Sequence, residues 1–256
     1  MHVEVSEDGT GPYLLLVHGF CASRAQWRPN LEALKRVSRP VVVEMLGHGR
    51  SPSPTDPAEY RVEAYFERFE ALRARLGADR WLLCGQSFGA GLTLGYSLAF
   101  PERVIGQAFT NSNSALAPPP DPPISAEQRI GRANSFERKG RPALEAMPYY
   151  PKRTDRWPKA VVDEVMADGE LLSVPAIAET MRTTIPDLNV SARLVEISVP
   201  TLLVNGLWEK GFQRQRDTAA RTIPGLKVVD LEGGHPVNLD NPAGFNEAAC
   251  DFLGGL

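Results

Sequence analysis

The pentapeptide Gly85-Gln86-Ser87-Phe88-Gly89 is the first place where this chain could do chemistry. It stands between an apolar run, Trp81 to Cys84, and a small, apolar segment with helical character, Phe88 to Ala99. A sharp strand-to-helix turn there would project the serine hydroxyl outward, and the flanking glycines leave space that a Cβ would fill. A serine hydroxyl needs a base to take its proton before it can attack. Of the four histidines, His235 in Gly233-Gly234-His235-Pro236 follows the last strand-like run, on a loop free to reach the serine. His2 is terminal, His18 opens the loop His18-Gly19-Phe20-Cys21, and His48 sits in the turn Leu46-Gly47-His48-Gly49-Arg50-Ser51. The base needs an acid to hold its tautomer and to stabilise the imidazolium. Glu209, in Asn205-Gly206-Leu207-Trp208-Glu209, follows a strand-like run and precedes the histidine; Asp217, Asp230 and Glu232 are the other carboxylates of this region. The loop after Thr110 offers Asn111 and Asn113 but no carboxylate. Negative charge building on a carbonyl oxygen would be met by backbone N–H groups of Phe20 and of Phe88, the latter at the positive end of the helix that starts after Ser87.

These residues sit at the ends of a regular series. Tyr13 to Val17, Pro40 to Met45, Trp81 to Cys84, Val104 to Thr110, Thr201 to Asn205 and Lys227 to Leu231 are nearly uninterrupted apolar runs, as strands covered on both faces should be, and are expected in the centre of a sheet. Val3 to Val5 alternates with polar neighbours and reads as an edge strand. Longer helical patterns lie between the runs. Glu59 to Leu76 spaces Tyr65, Phe69 and Leu72 along one face, and Phe88 to Ala99 is expected to press on the sheet through Gly89, Gly91 and Gly95. Strand and helix in alternation give an α/β class, a mostly parallel central sheet with helices on both faces.

With 256 residues the chain suits one domain with a large core, and 28 basic against 31 acidic side chains leave a net charge of −3, too little positive field for nucleic acid or anionic lipid. Cys21, Cys84 and Cys250 form neither a zinc pattern nor a disulfide framework. The opening Met1-His2-Val3-Glu4 carries no signal-like pattern, and no apolar run nears the ~18 residues a membrane span requires. The expectation is a cytoplasmic protein whose partner is a small molecule, with neither nucleic acid nor membrane.

In their order along the chain, the His18-Gly19-Phe20 loop, the Gly85-Gln86-Ser87-Phe88-Gly89 turn, Glu209 and His235 resemble the α/β-hydrolase superfamily. The resemblance implies an eight-strand sheet, here without its first strand, and a lid inserted after the sixth. It implies a nucleophile at Ser87, a base at His235 and oxyanion donors at Phe20 and Phe88. Relatives with an aspartate nucleophile, the haloalkane dehalogenases and epoxide hydrolases, do not match Ser87. Glu209 departs from the aspartate usual at its position. Carboxylic-ester hydrolysis through an acyl-enzyme is then the expected activity, with no metal or organic cofactor. The same triad serves carbon–carbon hydrolases and the menaquinone-pathway lyase that eliminates pyruvate, and the same fold serves non-catalytic ligand binding.

The alternation breaks near Ala115 and resumes near Val199, after the proline run Ala117-Pro118-Pro119-Pro120-Asp121-Pro122-Pro123. The expected division is a core of residues 1–114 and 193–256 and a helical cap of residues 115–192. Between Ala115 and Lys159, nine basic residues face five acidic ones. They suit either a solvated helix face or attraction of a carboxylated substrate. Phe136, Met147, Tyr149, Tyr150 and Trp157 either line an apolar pocket beneath the cap or bury the cap against the body.

Overall fold

The computed structural model describes residues 1–256. Seven strands, β1 (His2–Val5), β2 (Tyr13–Val17), β3 (Arg39–Glu44), β4 (Trp81–Gly85), β5 (Val104–Thr110), β6 (Thr201–Gly206) and β7 (Lys227–Leu231), form one sheet in the order β1-β3-β2-β4-β5-β6-β7. Only β1 runs antiparallel, pairing with β3 so that Val3 faces Val43. The sheet has seven strands where the resemblance implies eight. One expectation fails: β7 is the far edge, not a central strand. Its residues are half-buried or exposed because only β6 pairs with it.

The continuous apolar runs arise because successive residues must satisfy opposite faces. Leu14 and Leu16 pack with Trp27, Phe245 and Phe252, whereas Leu15 and Val17 pack with Phe69, Phe88 and Leu92. Helices α1 (Arg28–Leu34) and α2 (Val62–Arg75) follow β2 and β3, and α3 (Phe88–Ala99) follows β4. The short α4 (Asn113–Leu116) comes directly after β5, and α5 (Ala126–Lys139), α6 (Arg141–Glu145), α7 (Lys159–Glu170) and α8 (Val174–Glu179) follow before β6. Beyond β6 come α9 (Gln213–Thr222), then α10 (Val237–Asp240) and α11 (Pro242–Leu253) after β7. No helix is long and apolar enough to cross a membrane.

Helix α3 touches the sheet differently from the expectation. A Cβ on Gly89 would stand 2.1 Å from the Val17 carbonyl oxygen, so this glycine does meet the sheet. Gly91 instead meets Leu188 and Gly95 meets the Phe66 ring of α2. The small residues let two further elements approach the helix, a partner choice that spacing alone does not reveal.

An ion cluster fastens α7 to the opening of the chain. The buried Arg24 pairs with Glu164 at 2.5 Å and Glu4 at 3.1 Å, and Arg28 pairs with the same two carboxylates. Arg50 reaches Asp168 at 2.8 Å, and the Ser23 hydroxyl donates to the other oxygen of Asp168. Glu44, wholly buried at the end of β3, accepts the Arg50 backbone N–H at 2.7 Å, while burial pushes its carboxyl above the ordinary range. Gly49, at φ 50°, is required in this turn because a Cβ would stand 2.1 Å from Glu44 Oε1.

Candidate active site

Ser87 occupies the turn between β4 and α3 with φ 52° and ψ −110°, a backbone state that costs a non-glycine residue about 1–3 kcal/mol. The surroundings enforce it. A Cβ on Gly85 would lie 2.4 Å from the Thr93 hydroxyl and 2.5 Å from the Gly89 carbonyl, so only glycine closes the turn on that side. The Ser112 hydroxyl, beyond β5, donates to the Ser87 carbonyl at 2.7 Å. Ser87 therefore sits half-exposed on a clamped bend, facing a cavity of about 520 Å³.

His235 and Glu209 line the same cavity. His235 Nδ1 and Glu209 Oε2 are 2.9 Å apart, which fixes the imidazole with its proton on Nδ1 and leaves Nε2 free to accept. The longer glutamate thus reaches the histidine. Its other oxygen, Oε1, accepts from Asn113 Nδ2 at 3.3 Å, and Asn111 holds both backbone groups of Gly206 at the end of β6. The loop after β5, which has no carboxylate to offer, instead positions the one that follows β6. The other carboxylates are engaged elsewhere: Asp230 and Asp217 with Arg216, and Glu232 with the Trp208 indole. Ser87 and His235 share the cavity without a hydrogen bond between their side chains, and the link between their loops is Gln86, whose Nε2 donates to the His235 carbonyl at 3.2 Å.

Phe20 and Phe88 flank Ser87 with their rings 5.9 Å apart, and neither backbone N–H donates to a backbone acceptor. The loop carrying Phe20 is shaped by buried imidazoles. His18 Nδ1–H donates to the Gly19 carbonyl at 2.7 Å while its Nε2 accepts the Met45 N–H, and His48 Nε2 accepts the N–H of Cys21, a residue held at φ 59°. Complete burial lowers the pKa of His18 to about 4 and, with His18 beside it, that of His48 to about 3, so both stay neutral hydrogen-bonding struts. Gln26 completes the loop by accepting the Gly19 N–H at 3.1 Å.

Of the aromatic and thioether side chains expected either to line the cavity or to bury the cap, Tyr149, Tyr150 and Trp157 line it. Phe136 and Met147 do not. They pack with Leu144, Leu172 and Ile177 in an apolar cluster that joins α5, α6 and α8 and backs the cavity wall through Cys21 and Tyr150, which belong to both. Tyr149 stands over the His235 ring at 6.0 Å. Sequence reasoning also missed Asp240. Its buried carboxylate accepts the Gly234 N–H at 2.8 Å through one oxygen and the Trp157 indole at 2.8 Å through the other. Nothing in the local pattern distinguishes Asp240 from a surface acid of a short helix. No group of three or more His, Cys, Asp or Glu side chains is arranged to hold a metal ion.

Comparison with known proteins bears on the fold. The family described as the alpha/beta hydrolase fold matches residues 12–149. A putative carbamate hydrolase of Pseudomonas savastanoi pv. phaseolicola is 29% identical over 94% of this chain and 93% of its own. A carboxylesterase of Bacillus subtilis is 23% identical over 99% of this chain and 84% of its own. The mouse bifunctional epoxide hydrolase 2 matches at 32% identity over 46% of this chain, and the match spans 21% of that longer protein. Among solved structures, MenH of S. aureus superposes with a TM-score of 0.84 at 18% identity, covering 98% of this chain and 97% of that one. The chain belongs to the alpha/beta hydrolase fold family.

Proposed function

We propose that this chain is a serine hydrolase that cleaves carboxylic esters of small molecules through an acyl-enzyme, with residues 115–192 acting as a cap over its cavity. The observation that carries the reading is the His235–Glu209 hydrogen bond, 2.9 Å long, opening on the same cavity as the strained Ser87. His235 Nε2 takes the Ser87 proton as Oγ attacks the ester carbonyl; the contact between them tightens when substrate fills the cavity, as such contacts do. The tetrahedral oxyanion is received by the Phe20 and Phe88 N–H groups, neither of which donates to a backbone acceptor. The imidazolium, held by Glu209, returns its proton to the departing alcohol. Water then adds to the acyl-enzyme with His235 again as base, and Ser87 is released. Apart from that water and the ester, these steps use side chains and backbone of the chain itself. A relative bearing the name carboxylesterase supports an ester as the acyl donor.

The test is labelling with a serine-directed phosphonate, read by mass spectrometry, together with a panel of p-nitrophenyl esters. A single adduct on Ser87 and a burst of nitrophenol lost in Ser87→Ala are expected. No adduct and no burst with any ester would remove the proposal.

A further inference from the structure

The nine basic residues between Ala115 and Lys159 do not share one face. Arg141 is engaged with Glu145 and Glu170, Lys159 with Asp163, and Arg129 and Arg132 line a separate groove beside the proline run. Lys152, Arg153 and Arg156 line the Ser87 cavity, where all three remain solvent-exposed at its rim. The only carboxylate lining that cavity is Glu209, already bound to His235. Arg153 and Arg156 also touch Asp163 and Asp240 outside the cavity, whereas Lys152 has no carboxylate within ion-pair distance. Asp155, on the same segment, lines a neighbouring groove instead. Tyr149, Tyr150, Trp157, Pro148 and Pro151 line the same cavity and give it a largely apolar wall, with the Tyr149 ring 6.0 Å from that of His235.

One cavity thus brings together Ser87, apolar walls and three exposed cations, in a chain whose overall charge is negative. Resting on the ester-hydrolase reading, we propose that the preferred substrates are esters that also bear a free carboxylate, such as half-esters of aliphatic dicarboxylic acids. Lys152 is the principal specificity residue. The carboxylate meets the three cations while the apolar chain spans the aromatic wall and the ester carbonyl reaches Ser87. A neutral ester of equal length gains the wall and the nucleophile but not the rim.

The test compares methyl hydrogen adipate with methyl hexanoate, esters of the same acyl length that differ by one terminal carboxylate. At low ionic strength kcat/KM is expected to favour the anion by about tenfold, as suits a few partly exposed cations, and the preference shrinks as salt screens them. Lys152→Ala reduces the ratio of the two kcat/KM values, and Lys152→Glu brings it to one or below. A ratio near one in the wild-type chain, or a preference unmoved by Lys152→Glu, overturns the inference and leaves ester hydrolysis standing. Calorimetric titration with adipate and with 1,6-hexanediol reads the rim without any turnover. If neither ester is cleaved while adipate binds in a Lys152-dependent way, the anion site stands and the ester reading falls. Equal binding of acid and diol overturns the anion site.

Discussion

Replacing Glu209 by glutamine keeps the shape of the side chain and removes its charge. The carboxylate stands 2.9 Å from His235 Nδ1, and both side chains are about a quarter exposed, at 21% and 28%. When His235 takes a proton, two unit charges about 4 Å apart attract by ~4 kcal/mol at an effective dielectric of about 20. Losing that term from the transition state costs about 10³ in rate. The neighbouring Asn113 adds a tautomer penalty. Its Nδ2 donates to Glu209 Oε1, so the glutamine carbonyl turns to Asn113 and presents an NH₂ to His235 Nδ1. The imidazole then carries its proton on Nε2, the atom that must be vacant to receive one from Ser87. The expected fall in kcat for p-nitrophenyl butyrate is about 10³ to 10⁴, with the rate of phosphonate labelling at Ser87 falling in parallel. Stability is nearly unchanged, since the residue lies in a loop and its charge is partly exposed. A loss of less than about tenfold, or an equal loss on Asp230→Asn, would refute the assignment of the acid.

Three further outcomes follow from the packing. Gly89→Ala drives a Cβ to 2.1 Å from the Val17 carbonyl and is expected to cost more than about 3 kcal/mol, read as lost soluble yield and a lowered urea midpoint; Gly131→Ala, with nothing within 4 Å, should instead stabilise by about 0.5–1 kcal/mol. Phe136→Ala opens a hole in the cluster of α5, α6 and α8 and should cost about 3 kcal/mol in denaturant unfolding while KM for a small ester changes little; a large rise in KM without lost stability would return Phe136 to the cavity. His18 and His48 have folded pKa values of about 4 and about 3, below the ordinary 6.5, so the unfolded chain takes up their protons first on acidification. Their stabilisation is complete above pH 6.5 and is lost as pH falls through about 4 and then about 3; at about 1.4 kcal/mol per pH unit the sum is several kcal/mol. Tm measured against pH should drop steeply over that interval, and His48→Gln should make the slope shallower.

The strands were legible because a run covered on both faces is apolar at every position, and Tyr13 to Val17 or Trp81 to Cys84 admit little else. The same rule misplaced β7, whose Val228, Val229 and Leu231 read as central although the chain supplies no strand beyond them. The Ser87 turn could be read because its glycines answer a local steric demand. Chain order narrows the choice of carboxylate to a loop, and Glu209 is the one that stands beside His235. Gln86, Asn113 and Asp240 were invisible, since each matters only through a partner far away in sequence: His235, Glu209 and Trp157. Phe136 and Trp157 carry the same kind of signal in the stretch between β5 and β6. Only the packing shows that one supports the helices and the other faces the cavity.

Asp240 behaves as a rivet. One oxygen grips the amide just before His235 and the other grips the indole of Trp157. Trp157 in the cavity wall and the loop that carries His235 are therefore sewn to a single carboxylate. Removing the Asp240 carboxylate would free the indole of Trp157 and the Gly234 amide beside His235 together, so that one substitution far from Ser87 loosens two sides of the cavity at once.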